Sequence, residues 1–525
     1  MTLYLWFVFF LAVQVIHFIG TWKLYEAAGR KSWEAAIPVY NAIVLMKIIG
    51  RPTWWTLLLF IPIINLIMFP VIWVETLRTF GKKSTLDTIL GIFTFGFYIY
   101  YVNYTQKLEY NANRSLTPEN KTADTISSLL FAIIVATLVH TYVVQPYTIP
   151  SSSLEKSLLI GDFLFVSKVN YGPRVPMTTV ALPMVHDTIP FAKVKSYLSW
   201  PQLPYFRLPA LEKIKNNDIV VFNWPRDTAY NMYIPADKFY YKPIDKKTNY
   251  VKRCVGIPGD SLQIKDGIVF INGKELILPE RAKPQYSYKV AYDGKTPIDF
   301  ESLLRELDIT DGAYFTDQEK KDTLYFRALT QASVERLKNT PGITGVKREI
   351  VKGPEDGIFP DFQDGKPSTT NNWSCDNMGP IYIPQAGKTV ALTTKTLPLY
   401  KEIISNYEGN KLEVKGSEIL INGKPATTYT FKQDYYWMMG DNRHNSLDAR
   451  YFGYTPADHI VGKPVFIWMS WDTNGKGINK VRWNRVFTTV DGEGQPQSYF
   501  KYFLIVLALY FVGEFFWRKR KENKA

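Results

Sequence analysis

The chain has 525 residues, enough for more than one folded unit. Its formal charge of +14 would suit a nucleic-acid partner, but half of the excess lies in residues 23–53 and the C-terminal tail, beside apolar runs where anionic lipid headgroups attract Lys and Arg. No aromatic-interleaved basic stripe accompanies it, which argues against nucleic acid. Two cysteines, Cys254 and Cys375, are too few for a zinc site or a disulfide framework, although a single Cys254–Cys375 bridge is left open.

From the N-terminus, residues 3–22 are apolar for the ~20 residues that a bilayer requires, with no Lys or Arg before them. They predict a retained helix rather than a cleaved leader. Further spans are expected at 54–75, 85–103, 125–144 and 499–517, while 33–49 is too short to cross. Residues 1–124 are thus expected to form an accessory membrane domain of about three spans, followed by an anchor helix at 125–144 and, at the far end, a membrane helix with a basic tail at 499–525. The Arg518–Lys521 cluster and the basic loops 23–53 and 104–124 are expected on the cytoplasmic side, although Arg78, Lys82 and Lys83 in the loop 76–83 weaken that assignment. The large central region would then lie outside. A transporter or membrane scaffold is the alternative for such a chain, but the spans carry no cluster of ionisable residues that would mark a transport path.

Past residue 144 the texture changes to short β-branched and aromatic runs between turn signals, such as DFLFVSKV, DIVVFNW and YVKRCVGI. Asn-Gly pairs at 272–273 and 422–423 predict tight hairpins in two similar surroundings, IVFINGKEL and EILINGKPA. A mostly-β core is expected over 145–280 and 417–498. Between its halves, 281–416 reads as an α/β insertion, with helical-looking stretches at 300–308 and 319–339.

Three clusters carry chemistry. PSSSLEKSL (150–158) stands just after the 125–144 span, KRCVGIPGD occupies 252–260, and GDNRHNSLDAR occupies 440–450. A serine cluster is ordinarily a loop, a strand lysine ordinarily sits at an edge, and an Asp/Asn/Arg/Ser cluster ordinarily holds a turn. Taken in order, with IGD at 160–162 and NDIVVFNWP at 217–225, they resemble the type I signal peptidase (leader peptidase) family over roughly 145–470. Leu154 stands where that family has Met, Glu155-Lys156-Ser157 replaces x-Pro-Thr, and Ala449 replaces Ser.

The resemblance implies coiled antiparallel β-sheets and a serine endopeptidase with Ser153 as nucleophile and Lys252 as general base. For that role the Lys252 amine must fall from ~10.4 to near 8 or below, a bias of ~3–4 kcal/mol against its charged form, and burial is the available cause. By the same resemblance Ser446 orients the amine, Ser151 helps to hold the oxyanion, and Asp441, Asp448 and Arg450 support the network. Tyr147, Ile149, Leu154, Leu158, Tyr250 and Val251 would line pockets for small side chains, which suits Ala-x-Ala-like signal-peptide ends. The implied partners are secretory preproteins, the lipid bilayer and the secretion machinery; the implied location is a bacterial inner membrane, spanned several times, with the catalytic domain on the periplasmic side. Neither a cofactor nor a metal is implied. A Ser-His-Asp triad drawn from His186-Asp187, His444 or His459 is the rival chemistry.

Overall fold

The computed structural model describes residues 1–117, 121–229, 239–307, 309, 311–317, 320–361, 371–472, 475 and 477–522. They form two units, one of 1–144, 173–209 and 228–247, the other of 145–172, 210–227 and 248–525.

The first unit is helical. Leu3–Ala27 is one long helix, capped by the Thr2 hydroxyl, and most of its apolar side chains face outward. Its last turns, at Leu24 and Tyr25, enter a core with Val44, Met46, Ile64, Met68, Ile72 and Phe80. Among the described residues three helices are long and apolar enough to cross a membrane: Leu3–Ala27, Lys121–Val143 and Phe500–Glu522, the last belonging to the second unit. The apolar run 54–75 is not the single span expected. It breaks into Trp55–Leu58 and Ile64–Thr79, because Pro62 disfavours helix before it and Ile63 takes a left-handed φ of 70°. The run 85–103 likewise folds as Thr85–Phe93 and Tyr98–Thr105, bent by 119° around Phe95 and Gly96, both at positive φ.

The second unit is mostly antiparallel β, as the resemblance implied. One sheet runs in the order Val144–Thr148, Asp162–Ser167, Ile460–Ser470, Ile219–Asn223, Asn249–Gly256, Tyr435–Met439, Thr455–Pro456, with Thr488–Thr489 added beside Ile460–Ser470. Alternation along Asp162–Ser167 buries Leu164 and Val166 and leaves Phe163 and Phe165 against Trp468. Both Asn-Gly hairpins form, with φ of 53° and 81° at Asn272 and Gly273 and 53° and 78° at Asn422 and Gly423. Each turn asparagine exchanges hydrogen bonds with the partner strand in the same pattern, at Ser261 and at Lys411.

Residues 281–416 add a four-stranded sheet, ordered Ile343–Arg348, Tyr286–Tyr292, Thr323–Leu329, Ala313–Phe315, with helices Phe300–Glu306 and Gln331–Lys338. The stretch expected to be helical from 319 opens instead as the strand Thr323–Leu329. Its alternate Leu324 and Phe326 pack on Val290, and Thr330 then caps the helix. Cys254 and Cys375 are both free thiols, so the bridge left open by the sequence is not made.

Candidate active site

Ser153 lies in a tight turn, Ser152–Leu154, that follows the strand Val144–Thr148. The segment is pinned at Ile149, whose N–H donates to Asp162 O at 2.9 Å and whose carbonyl accepts from Gly161. From the other side the Asn442 N–H donates to the Ser153 carbonyl at 3.1 Å. Lys252 stands mid-strand in Asn249–Gly256, opposite Val220. Its Nζ donates to Ser153 Oγ at 2.6 Å, across 99 residues of sequence.

Both groups are withdrawn from water, Ser153 at 7% exposure and Lys252 at 4%. Burial penalises the ammonium and lowers the Lys252 pKa to about 8; Asp448 and Asp441 oppose that shift and Arg450 adds to it. The aromatic face of Tyr250 lies 5.4 Å from Nζ.

The acids of the third cluster are fully buried and paired. Asp441 receives both ends of the Arg253 guanidinium at 2.8 and 2.6 Å, and the Ser157 hydroxyl at 2.6 Å. Burial alone would raise its pKa, but Arg253 overrides it and holds the carboxyl below its ordinary value. Asp448 is likewise kept ionised against burial by Arg450, and its second oxygen accepts the Gly440 N–H at 3.0 Å. Gly440 permits a close approach that no other residue would. A Cβ there would sit 2.6 Å from the Ser153 carbonyl oxygen and closer still to Ser446 Oγ.

Ser446 departs from its expected contact: its hydroxyl is buried without a hydrogen-bond partner among the described residues, so the bond to the Lys252 amine is not made. Ser151 is exposed, in extended backbone beside the turn. Of the expected pocket residues, Ile149, Leu154 and Leu158 share one apolar cluster against which Tyr147 and Val251 pack. Tyr250 packs on the larger apolar cluster, with its ring stacked on Trp224 at 5.3 Å, and on its own strand face it stays beside the Lys252 amine.

Sequence reasoning missed Arg253 and Gly440, although both stand inside the quoted blocks. It also missed the partner of His444. That imidazole faces the Asp376 carboxylate through Nε2, at 3.0 Å to each oxygen, and accepts the Ser287 N–H on Nδ1. With both nitrogens so engaged, it is no base for Ser153, whose hydroxyl is bonded to Lys252. His186 bonds the Lys247 carbonyl and His459 bonds Asp458.

Residues 122–327 and 426–471 match the family described as signal peptidase, peptidase S26, and residues 33–113 match a family of unknown function, DUF5684. Signal peptidase I of Buchnera aphidicola subsp. Acyrthosiphon pisum is 24% identical over 352 residues, 66% of this chain and 76% of the relative. That of Helicobacter pylori strain J99 is 24% identical over 70% of this chain and 92% of the relative, and that of Rickettsia typhi is 27% identical over 31% and 49%. The family match takes in the strands of the main sheet and the helix that precedes them, and over these residues the chain is similar to the type I signal peptidases, serine peptidases of the S26 family.

Proposed function

We propose that this membrane peptidase removes signal peptides from secreted preproteins with a Ser153–Lys252 dyad. The observation that carries the reading is the 2.6 Å contact between a buried amine and a buried hydroxyl. With its pKa lowered to about 8, Lys252 is neutral in a useful fraction of molecules near neutral pH. The free amine takes the hydroxyl proton as Ser153 Oγ attacks the scissile carbonyl, giving a tetrahedral intermediate that collapses to an acyl-enzyme as its C–N bond breaks. The proton then passes to the leaving amine, and water releases the signal peptide by the same route in reverse order of roles. Ser151 and the Ser153 N–H stabilise the oxyanion. The low walls around Ile149, Leu154 and Val251 favour small residues one and three positions before the cut. Multiple membrane passes with the β unit on the periplasmic side suit such substrates, and association with the secretion machinery follows from the same role.

The test is cleavage of a preprotein by the purified full chain, followed by N-terminal sequencing of the product. Wild type should expose a new N-terminus after a small residue, and Ser153→Ala and Lys252→Ala should not. Full activity in either variant would remove the dyad.

A further inference from the structure

Two stretches of the 281–416 insertion close on the loop that carries Gly440, Asp441 and Ser446. At its start, the Gln285 N–H donates to Asp441 O at 2.9 Å, the Arg443 N–H donates to Gln285 O at 3.0 Å, and the Gln285 amide donates to Glu155 O at 2.9 Å. The chain 285–287 thus lies alongside 441–444 in a parallel pairing. Where the insertion first returns to the core, just before Met378–Tyr382 pairs with Ser261–Lys265, Asp376 sits with no exposure, its carboxylate accepting the Val351 N–H at 2.8 Å and facing His444 Nε2. His444 joins the two stretches, since its other nitrogen takes the Ser287 N–H at 2.9 Å. Because Nδ1 accepts a backbone donor, the ring proton resides on Nε2 and is donated to Asp376. Arg450 ties the same region from below, with donors to the carbonyls of Arg443 and Cys375.

We propose that His444, clamped between Ser287 and Asp376, is a positioning residue through which the insertion fixes the 440–446 loop against the Ser153 turn. The proposal rests on the dyad reading above and extends it to a segment with no chemistry of its own. His444 touches neither reacting group. It acts through the Asn442 N–H on the Ser153 carbonyl, two residues before it, and through Ser446, two residues after it, whose hydroxyl lies where any Gly440 side chain would clash. A loosened loop admits water to Lys252, and hydration removes the burial that lowers its pKa. Cys375 Sγ, an Asp376 oxygen and a His444 nitrogen lie within 4.8 Å of one another, a spacing that also suits a metal ion. The donors are otherwise engaged, however: both imidazole nitrogens are hydrogen-bonded, and burial pushes the Cys375 thiol pKa up, which keeps it protonated.

The experiment compares full-length wild type, His444→Ala, His444→Gln and Asp376→Ala for kcat, KM and pH profile on one preprotein, with Ser153→Ala as the inactive control. His444→Ala and Asp376→Ala should each lower kcat by about tenfold to a hundredfold with KM unchanged, and the acid limb should move up from about 8, so that part of the loss is regained at high pH. His444→Gln, which keeps a donor for Asp376, should recover part of kcat and serves if the alanine variants fail to fold. Folded His444 variants with wild-type kcat and an unmoved acid limb would overturn the clamp while leaving the dyad standing. Activity in Ser153→Ala would instead overturn the dyad. Stoichiometric zinc in purified wild type, absent from His444→Ala, would replace the hydrogen-bonded clamp with a metal site.

Discussion

Lys252→Met separates the cost of the dyad from its use. The side chain is nearly isosteric and uncharged, so it fills the same buried slot without an ammonium. In the wild-type protein the Lys252 pKa falls from its ordinary value of ~10.4 to about 8 on folding, with burial the main cause. Between those values the unfolded chain binds one proton more than the folded one, so wild-type stability rises with pH across the window. Below pH 8 both states are charged and folding carries the full penalty, ~3 kcal/mol; above ~10.4 both are neutral and the penalty is gone. The Met variant lacks this dependence. Its stability relative to wild type should therefore fall by about 2 kcal/mol between pH 6.5 and 9.5, read from denaturant midpoints of the detergent-solubilised proteins. The same titration governs turnover: wild-type rate should climb about tenfold per pH unit below 8 and level off above it, and Lys252→Met should be inactive throughout. A relative stability that does not change with pH, or an acid limb near 10.4, would refute a desolvated base at this position.

Gly440→Ala should abolish cleavage in an otherwise folded enzyme, because the added methyl forces the Ser153 carbonyl and Ser446 apart; a turnover assay beside a circular-dichroism spectrum checks it. Asp441→Asn should cost ~3–5 kcal/mol in denaturant unfolding by leaving Arg253 buried without its partner. The wild-type contribution of Asp441 is present above ordinary carboxylate pKa values and lost as pH falls through its depressed folded value. Ser446→Ala should leave stability unchanged or slightly raised, since the hydroxyl has no partner to lose, yet lower kcat if the hydroxyl turns to Lys252 once substrate binds. A cysteine introduced on the exposed face of the helix Gln331–Lys338 should react with an impermeant maleimide in intact spheroplasts; labelling only after lysis would reverse the proposed topology.

The residues that meet at the candidate site were readable in the sequence because they sit in local blocks. KRCVGIPGD and GDNRHNSLDAR hold several side chains in fixed spacing, and Asn-Gly dictates a left-handed turn wherever it stands. What the sequence concealed depends on distance. Arg253 and Asp441 meet across 188 residues, and His444 meets Asp376 across 68, so neither pairing has a local signature. The resemblance grouped Tyr250 with Val251, but the pleat sends them to opposite faces, Val251 to the cluster of Ile149 and Leu154 and Tyr250 to the side of Lys252 and Trp224. The break at Ile63 was masked by uniform apolarity, which registers length but not backbone direction. The strand Thr323–Leu329 was hidden by its charged flanks, which outweighed the alternation of Leu324 and Phe326.

The unbridged thiols have a practical consequence. Cys254 and Cys375 lie in one apolar cluster, at 0% and 3% exposure, and burial raises both pKa values, so each is protonated and out of reach of reagents. The β unit therefore needs no oxidant to complete its fold, whichever compartment it matures in. Wild-type protein should be silent toward maleimide under native conditions, which gives any introduced cysteine a clean background without first stripping the natural ones. The slow labelling that remains then measures something else: how often the core opens. Its rate, taken against that of an unfolded control, reports the opening free energy in detergent or bilayer, where reversible denaturation of a membrane enzyme is hard to achieve.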